Sequence, residues 1–324
     1  MDPAELLRKA AISGTTLPQV ILNRQQTEKF LDDVVEETVL LKECRNARRD
    51  HPSGELNRLY FAGPVSEDAS LAVTTASPSE SVVQYDSTKL RSAFDLKTDF
   101  IEDIRANSPE EARRRITAMF ASQIANDIEQ LGIRGDDSID GTGTADDRLE
   151  QTNDGFLRIL DDDITAAQDI DCIGAGVSKK LFHDMIRAMP SKYKRNKSKM
   201  RFICSPGVEE NWVYVQSERA TPAGDLSVEG RIPAPFGIRL LPVPLMPEDE
   251  VYHTAVTDGT EIVLCDPKNL LYFVQRKVTW EWDRTPRSDQ WEVTVHTRVD
   301  FQIEIAGAVV RAKNVSLTGT AYTG

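Results

Sequence analysis

Between Asp136 and Asp147, the stretch DDSIDGTGTADD places Asp136, Ser138, Asp140, Gly141, Thr142 and Asp147 at positions 1, 3, 5, 6, 7 and 12 of a calcium-loop pattern. A hard cation needs oxygen donors at such alternating positions around a glycine turn. Two residues depart from the pattern. Asp147 stands where the loop uses the longer, bidentate Glu, and Gly143 fills the eighth position, where an apolar residue usually sits. The following RLEQTNDGF does not read as an exiting helix, so the stretch reads as an acidic surface turn and no metal is expected. Asp161, Asp162 and Asp163 could hold Mg²⁺, yet no phosphate-cradling glycine loop accompanies them, and consecutive carboxylates are more often solvated. His51, His183, His253 and His296 are dispersed, without H-E-x-x-H. A nucleophile elbow, a dinucleotide-binding glycine fingerprint and a Walker loop are also missing from the sequence. The expectation is a protein that is not an enzyme, with no catalytic residues and no cofactor.

The elements that would position these groups are clearer than the groups themselves. Ser108, Pro109 and Glu111 form a capping box, after which Ile116, Met119, Phe120, Ile124, Ile128 and Leu131 recur at three- and four-residue spacings. Gly132 is read as the stop. The spacing predicts a helix of about 24 residues, ~36 Å long. In WEVTVHTRVDFQIEI, Trp291, Val293, Val295, Thr297, Val299, Phe301, Ile303 and Ile305 alternate with polar residues, which predicts one very long strand. YFVQRKVTWEW offers it a partner, with Val274, Val278, Trp280 and Trp282 on one face. From about Gly155 to Pro267 the pattern is mixed: KKLFHDMIRAM after Ser178 reads as a helix, while RFICSP, GIRLLPVP and TEIVLCDP read as short buried strands closed by proline. Phe30, Leu31, Val34, Val35 and Leu41, with Thr27 as a cap, suggest an amphipathic helix in an N-terminal arm. Between His51 and Leu96 a polar, β-prone texture at RLYF, LAVTT and SVVQY suggests a two-stranded excursion, which needs another surface to rest on.

Composition narrows the class. The 40 % apolar and 28 % charged content suits a soluble globular chain, and no stretch approaches the roughly 18 to 20 apolar residues of a membrane span. MDPAELLRKAAISGTTLPQV has no apolar core of a secretory signal. Cys44, Cys172, Cys204 and Cys265 are scattered, which suits free thiols in a reducing cytoplasm; Cys204 and Cys265 sit in apolar runs and read as buried structural thiols. A formal net charge of −13 argues against wrapping nucleic acid with the whole surface. The one basic run, KYKRNKSKMR from Lys192 to Arg201, reads as a solvated linker; Tyr193 is its single aromatic, too few for a stacking ladder.

In their order, these pieces resemble the major capsid proteins of tailed bacteriophages, the Hong Kong 97 fold. TDFIEDIRANSPEEARRRITAMFASQIANDIEQLGIRGD resembles that family's spine helix and its approach, and NDGFLRIL the opening of its next domain. MPSKYKRNKSKMRFICSP is similar to its helix, loop and buried strand. IPAPFGIRLLPVPLMP, VLCDPKNLLYFVQRKVTWEW and RVDFQIEIAGAVVRAKNV resemble its passage into the peripheral sheet and its closing segment. The resemblance implies an α+β chain divided into an N-terminal arm (1–50), an extended β-hairpin E-loop (51–98), a peripheral domain with the spine helix (99–150), an axial domain (151–267), a long peripheral hairpin (268–305) and a strand returning to the axial domain (306–324). It implies that the E-loop lies on an adjacent subunit, with Arg58, Tyr60, Phe61, Tyr85 and Lys89 as inter-subunit contacts. It further implies hexamers and pentamers of an icosahedral virion shell around double-stranded DNA, bound without sequence specificity and without a membrane. Assembly would take place in the host bacterial cytoplasm, with a separate scaffolding protein, a portal and in some cases a decoration protein. The excursion has no lysine before Lys89, so the isopeptide cross-link of some members is not expected. The alternatives are an encapsulin-like nanocompartment shell and a divalent-metal-dependent α/β enzyme built on the Asp136–Asp147 loop.

Overall fold

The computed structural model describes residues 20–21, 38–61, 65–66, 77–97, 109–141, 143–218, 234–248, 259–275, 279–285 and 290–324. The arm positions Thr27, Phe30, Leu31, Val34 and Val35, the LAVTT segment, the Ser108 cap and Val278 lie outside them. The chain opens with β1 (Val20–Ile21), the short helix α1 (Leu40–Glu43) and β2 (Arg45–Arg49). The hairpin strands β3 (Ser53–Tyr60) and β4 (Ser79–Asp86) come next, then β5 (Thr88–Lys97) and the long helix α2 (Pro109–Arg134). Helices α3 (Ala145–Glu150) and α4 (Phe156–Asp163) lead through β6 (Asp169–Asp171) to α5 (Lys179–Ala188), β7 (Arg201–Cys204) and α6 (Pro206–Ser217). Six strands complete the order: β8 (Arg239–Pro242), β9 (Gly259–Cys265), β10 (Leu270–Gln275), β11 (Thr279–Thr285), β12 (Gln290–Ile303) and β13 (Val310–Ser316).

β12 organises the larger sheet. Its alternation buries Val293, Val295, Thr297, Val299, Phe301 and Ile303, as a strand with one face on a core requires. On one side it pairs antiparallel with β11 and then β10, and on the other with β5 from Gln290↔Lys97 to Val299↔Thr88. β1 extends β11, and β2 runs parallel beside β10. Against this sheet lies α2, whose Ala121, Ile124, Ala125, Ile128 and Leu131 share one core with Leu157 and Leu160 of α4. The second sheet runs β6-β13-β9-β7-β8. Leu181, Phe182 and Met185 of α5, with Val208 and Trp212 of α6, close a separate core over it, where the Phe182 ring meets Phe202 and Trp212 edge-on. All seven residues of β9 are buried because both of its faces are covered, one by each core. Ser178 caps α5 by accepting the Leu181 N–H at 3.2 Å.

One sequence expectation is corrected at the end of α2. Gly132 does not stop the helix, which runs to Arg134. A Cβ at Gly132 would lie 2.7 Å from the Phe301 ring, so glycine is there to let the helix and β12 approach closely. A second α2 residue reaches α1. The buried Glu129 carboxylate accepts the Leu40 N–H and, at 3.4 Å, the Leu41 N–H, satisfying donors that the four-residue α1 leaves unpaired. Burial raises its pKa against these hydrogen bonds. Glu129→Ala is expected to lose about 1–3 kcal/mol, the usual cost of stranding buried N–H groups. A urea midpoint unchanged from wild type would contradict this anchoring role.

Candidate assembly surfaces

The β3–β4 hairpin forms a two-stranded sheet of its own, registered from Ser53↔Asp86 to Tyr60↔Ser79. Its root is held firmly. Ser87 N–H donates to the Pro52 carbonyl at 2.7 Å, closing the base. The Tyr85 ring lies directly over Gly54, its cross-strand partner, and stacks on Phe273 of β10 with centroids 4.6 Å apart. Tyr85, Leu271 and Phe273, with Leu56 and Val83 packed on them, make a small third core under the hairpin. The buried Asp300 of β12 accepts Asp86 N–H at 2.9 Å on one oxygen, and Asn153 Nδ2 at 3.0 Å and Phe301 N–H at 2.8 Å on the other. Its pKa is raised, because burial outweighs these bonds. Arg58 reaches within 3.9 Å of Glu304, which also takes Arg45 at 3.0 Å.

Away from the root, apolar side chains face solvent. Leu59 is 66 % exposed and Phe61 52 %, with Tyr60, Val65 and Val82 also open. Of the five residues singled out from the sequence, Tyr60 and Phe61 therefore belong to this apolar end, and Arg58 lies beneath Tyr60 with its guanidinium 5.7 Å from the ring. Tyr85 is taken up inside its own chain, where no neighbour is needed to explain its burial. Lys89 is exposed on β5 opposite Arg298.

Several of the groups that suggested chemistry have partners within the chain. Thr144 caps α3 in a capping box with Asp147, so the twelfth residue of the calcium-like pattern serves as a helix cap. Asp136, Asp137 and Asp154 bring one ligand atom each within 4.8 Å of one another. Asp136 is also bound by Ser138 Oγ at 2.5 Å and faces Arg158 at 3.5 Å, while Asp154 accepts Asp137 N–H at 3.0 Å. The acidic triplet ends α4, where Asp161 takes Arg311 at 2.5 Å and Asp162 lies 3.7 Å from Arg158.

Arg311 is a residue that sequence reasoning missed. It is 1 % exposed and pairs bidentately with Asp169 of β6, Nε to Oδ1 at 2.9 Å and Nη2 to Oδ2 at 3.1 Å. Glu261 of β9, equally buried, stands 3.7 Å away, and neither of its oxygens receives a hydrogen bond among the described residues. Lys313 completes the group at 2.8 Å from Asp169. Burial opposes ionisation of Asp169, but hydrogen bonds from Arg311 and Lys313 outweigh it and hold its carboxyl below the usual range. All four thiols are buried; burial pushes Cys172 up to about 12, so these are packing groups rather than nucleophiles.

The described elements are therefore a long helix against a sheet built on one long strand, a second mixed sheet and a two-stranded hairpin. A chain of the satellite phage P4 procapsid, solved with its size determination (Sid) protein, superposes with a TM-score of 0.68 at 12 % identity, over 100 % of both chains. The SrpI encapsulin of Synechococcus elongatus PCC 7942 gives a TM-score of 0.53 at 12 % identity, over 99 % of this chain and 98 % of that one. The fold is therefore α+β and of the Hong Kong 97 capsid type. In sequence, the chain is 25 % identical over 323 residues to YqbE of Bacillus subtilis (strain 168), which carries the name of a prophage capsid protein; the match covers 97 % of this chain and 99 % of YqbE. The chain is thus similar to phage capsid proteins, in fold to the P4 procapsid chain and in sequence to YqbE. No family model matches it.

Proposed function

We propose that the chain assembles through hexamers and pentamers into an icosahedral shell that encloses double-stranded phage DNA. The observation that carries this is the hairpin: rooted by Tyr85, Asp300 and Glu304, it ends in Leu59, Tyr60, Phe61, Val65 and Val82 exposed to water. Large apolar side chains left open to water along one hairpin are expected to be covered by a partner, and the partner that fits is a neighbouring copy. Tyr60, Phe61 and Arg58 are the contacts on that overlap, with Lys89 at its margin. The arm reaches over a neighbour, α2 with the larger sheet forms the peripheral domain, and the second sheet forms the axial domain around each capsomer centre. The role is mechanical, with no chemical turnover. Assembly occurs in the host cytoplasm with a separate scaffolding protein and a portal, and the product is the virion. An encapsulin-type compartment is the second reading, supported by the likeness to SrpI, but the fuller match to the P4 procapsid chain and the kinship with YqbE favour the phage shell.

The test is electron microscopy of the purified protein, alone and then with the products of its neighbouring genes. Closed polyhedra or capsomer rings are expected, and Phe61→Ser with Leu59→Ser should leave a folded protein that no longer closes shells. A monodisperse monomer under every condition would sink the reading.

A further inference from the structure

Lys192, Lys194, Arg195, Lys197, Lys199 and Arg201 put six cations into ten residues of a chain whose net charge is −13. In the structure this run joins α5 to β7 as a 3₁₀ segment, Lys194–Lys199, kinked at Asn196. Its two apolar members turn inward. Met200 is buried beside Phe202, and Tyr193 packs on the same core, with the Lys192 ammonium 4.7 Å from its ring centre. What remains outside is Lys192, Arg195, Asn196, Lys197, Ser198 and Lys199, all exposed. None of the six cations pairs with a carboxylate among the described residues. Arg201 donates to the Ser198 and Met200 carbonyls at 2.8 Å each, and Lys194 to the Arg187 carbonyl at 3.3 Å; these bonds shape the loop without neutralising it.

A protein partner would be recognised by an apolar centre ringed with polar groups, and the loop's two apolar side chains are turned to the core, Met200 buried and Tyr193 half-buried. Its exposed residues offer only cations and small hydrogen-bonding groups, the chemistry that meets phosphates without reading bases. We infer that the 192–201 loop is a contact for the phosphate backbone of double-stranded DNA, an inference that rests on the reading of the chain as a shell around DNA. The acidic remainder of the surface does not prevent this, because charges beyond about 10 Å are screened at 0.1 M salt. It confines the contact to the loop.

The test is fluorescence anisotropy of a labelled DNA duplex with the purified full chain before assembly, from about 50 to 200 mM salt. Binding should weaken with salt at a log–log slope of about −0.9 per phosphate neutralised. Combining Lys194→Ser, Arg195→Ser, Lys197→Ser and Lys199→Ser should weaken binding at least ~10-fold and reduce the slope by about 2 to 4. Arginine at the three lysine positions should keep the wild-type slope. An unchanged affinity and slope in the serine variant, a lost slope in the arginine variant, or selective binding of an acidic peptide with the duplex ignored would each overturn the inference. Microscopy of the same proteins separates it from the shell reading. Shells from a serine variant that binds DNA like wild type would remove the loop contact alone, whereas loop-dependent binding by a chain that never forms shells would remove the shell alone.

Discussion

Replacing Arg311 by methionine is expected to lower the stability of the fold by about 3–5 kcal/mol, the usual result of removing one partner from a buried ion network. The guanidinium is 1 % exposed and carries the charge that Asp161, Asp169 and Glu261 face at 2.5, 2.9 and 3.7 Å. Without it these carboxyls converge in a site with little water, with Lys313 at its margin on Asp169 and Arg158 near Asp161. The loss should also be structural. Arg311 stands on β13 and grips β6 through Asp169 and α4 through Asp161, so it joins the second sheet to the helix that packs on α2. Urea unfolding measures the cost, and amide exchange in α4 and β6 should rise with it. Adding Glu261→Leu to Arg311→Met should recover part of the loss, because one of the stranded carboxyls is then gone. A single variant within about 1 kcal/mol of wild type would mean that packing, not charge, holds this junction.

The same cluster sets a pH dependence. Burial pushes Glu261 up to about 7; Arg311 and Lys313 pull it down, while Asp161 and Asp169 push it further up. In the unfolded chain a glutamate ionises near 4.5. Between 4.5 and about 7 the folded protein therefore holds a proton that the unfolded chain has released, and stability should fall as pH rises through that window, by up to about 3 kcal/mol. Asp169 has the opposite sign: its depressed pKa gives stability that is lost on acidification below the usual carboxylate range. Glu261→Gln should flatten the upper window and leave the acid limb in place. Stability measured from about pH 3 to 8 decides it, and a Glu261→Gln profile parallel to wild type would remove Glu261 as the group responsible.

Much of the architecture was legible in the sequence, because its strongest signals are local and periodic. The two-residue alternation through Val293, Val295, Val299, Phe301 and Ile303 needs only one covered face to become a strand, and the structure supplies it. Ser178 ahead of Leu181 and Phe182 is a cap and an apolar stripe in adjacent positions. What stayed hidden depends on distant partners. Asp300 falls on the polar face of the alternation, yet it is buried because Asp86 and Asn153 meet it there. Gly132 follows the local rule for a helix end, but the ring of Phe301 gives it another purpose. Arg311 and Glu261 look like ordinary charges within apolar strands; only sheet pairing and the fold of α4 show that Asp161 and Asp169 belong to them. The acidic triplet that suggested a cation site does meet a cation, and that cation is an arginine.

The root of the hairpin sets where a pull on it would be felt. Only Ser87 separates β4 from β5, and β5 then lies antiparallel to β12 for ten consecutive paired residues. A pull along the hairpin would pass through Ser87 into that ladder and be divided among its ten residue pairs. A pull at Phe61 would be shared along β12 before it reached the helix behind it, so the hairpin is tied into the strand on which the larger sheet is built.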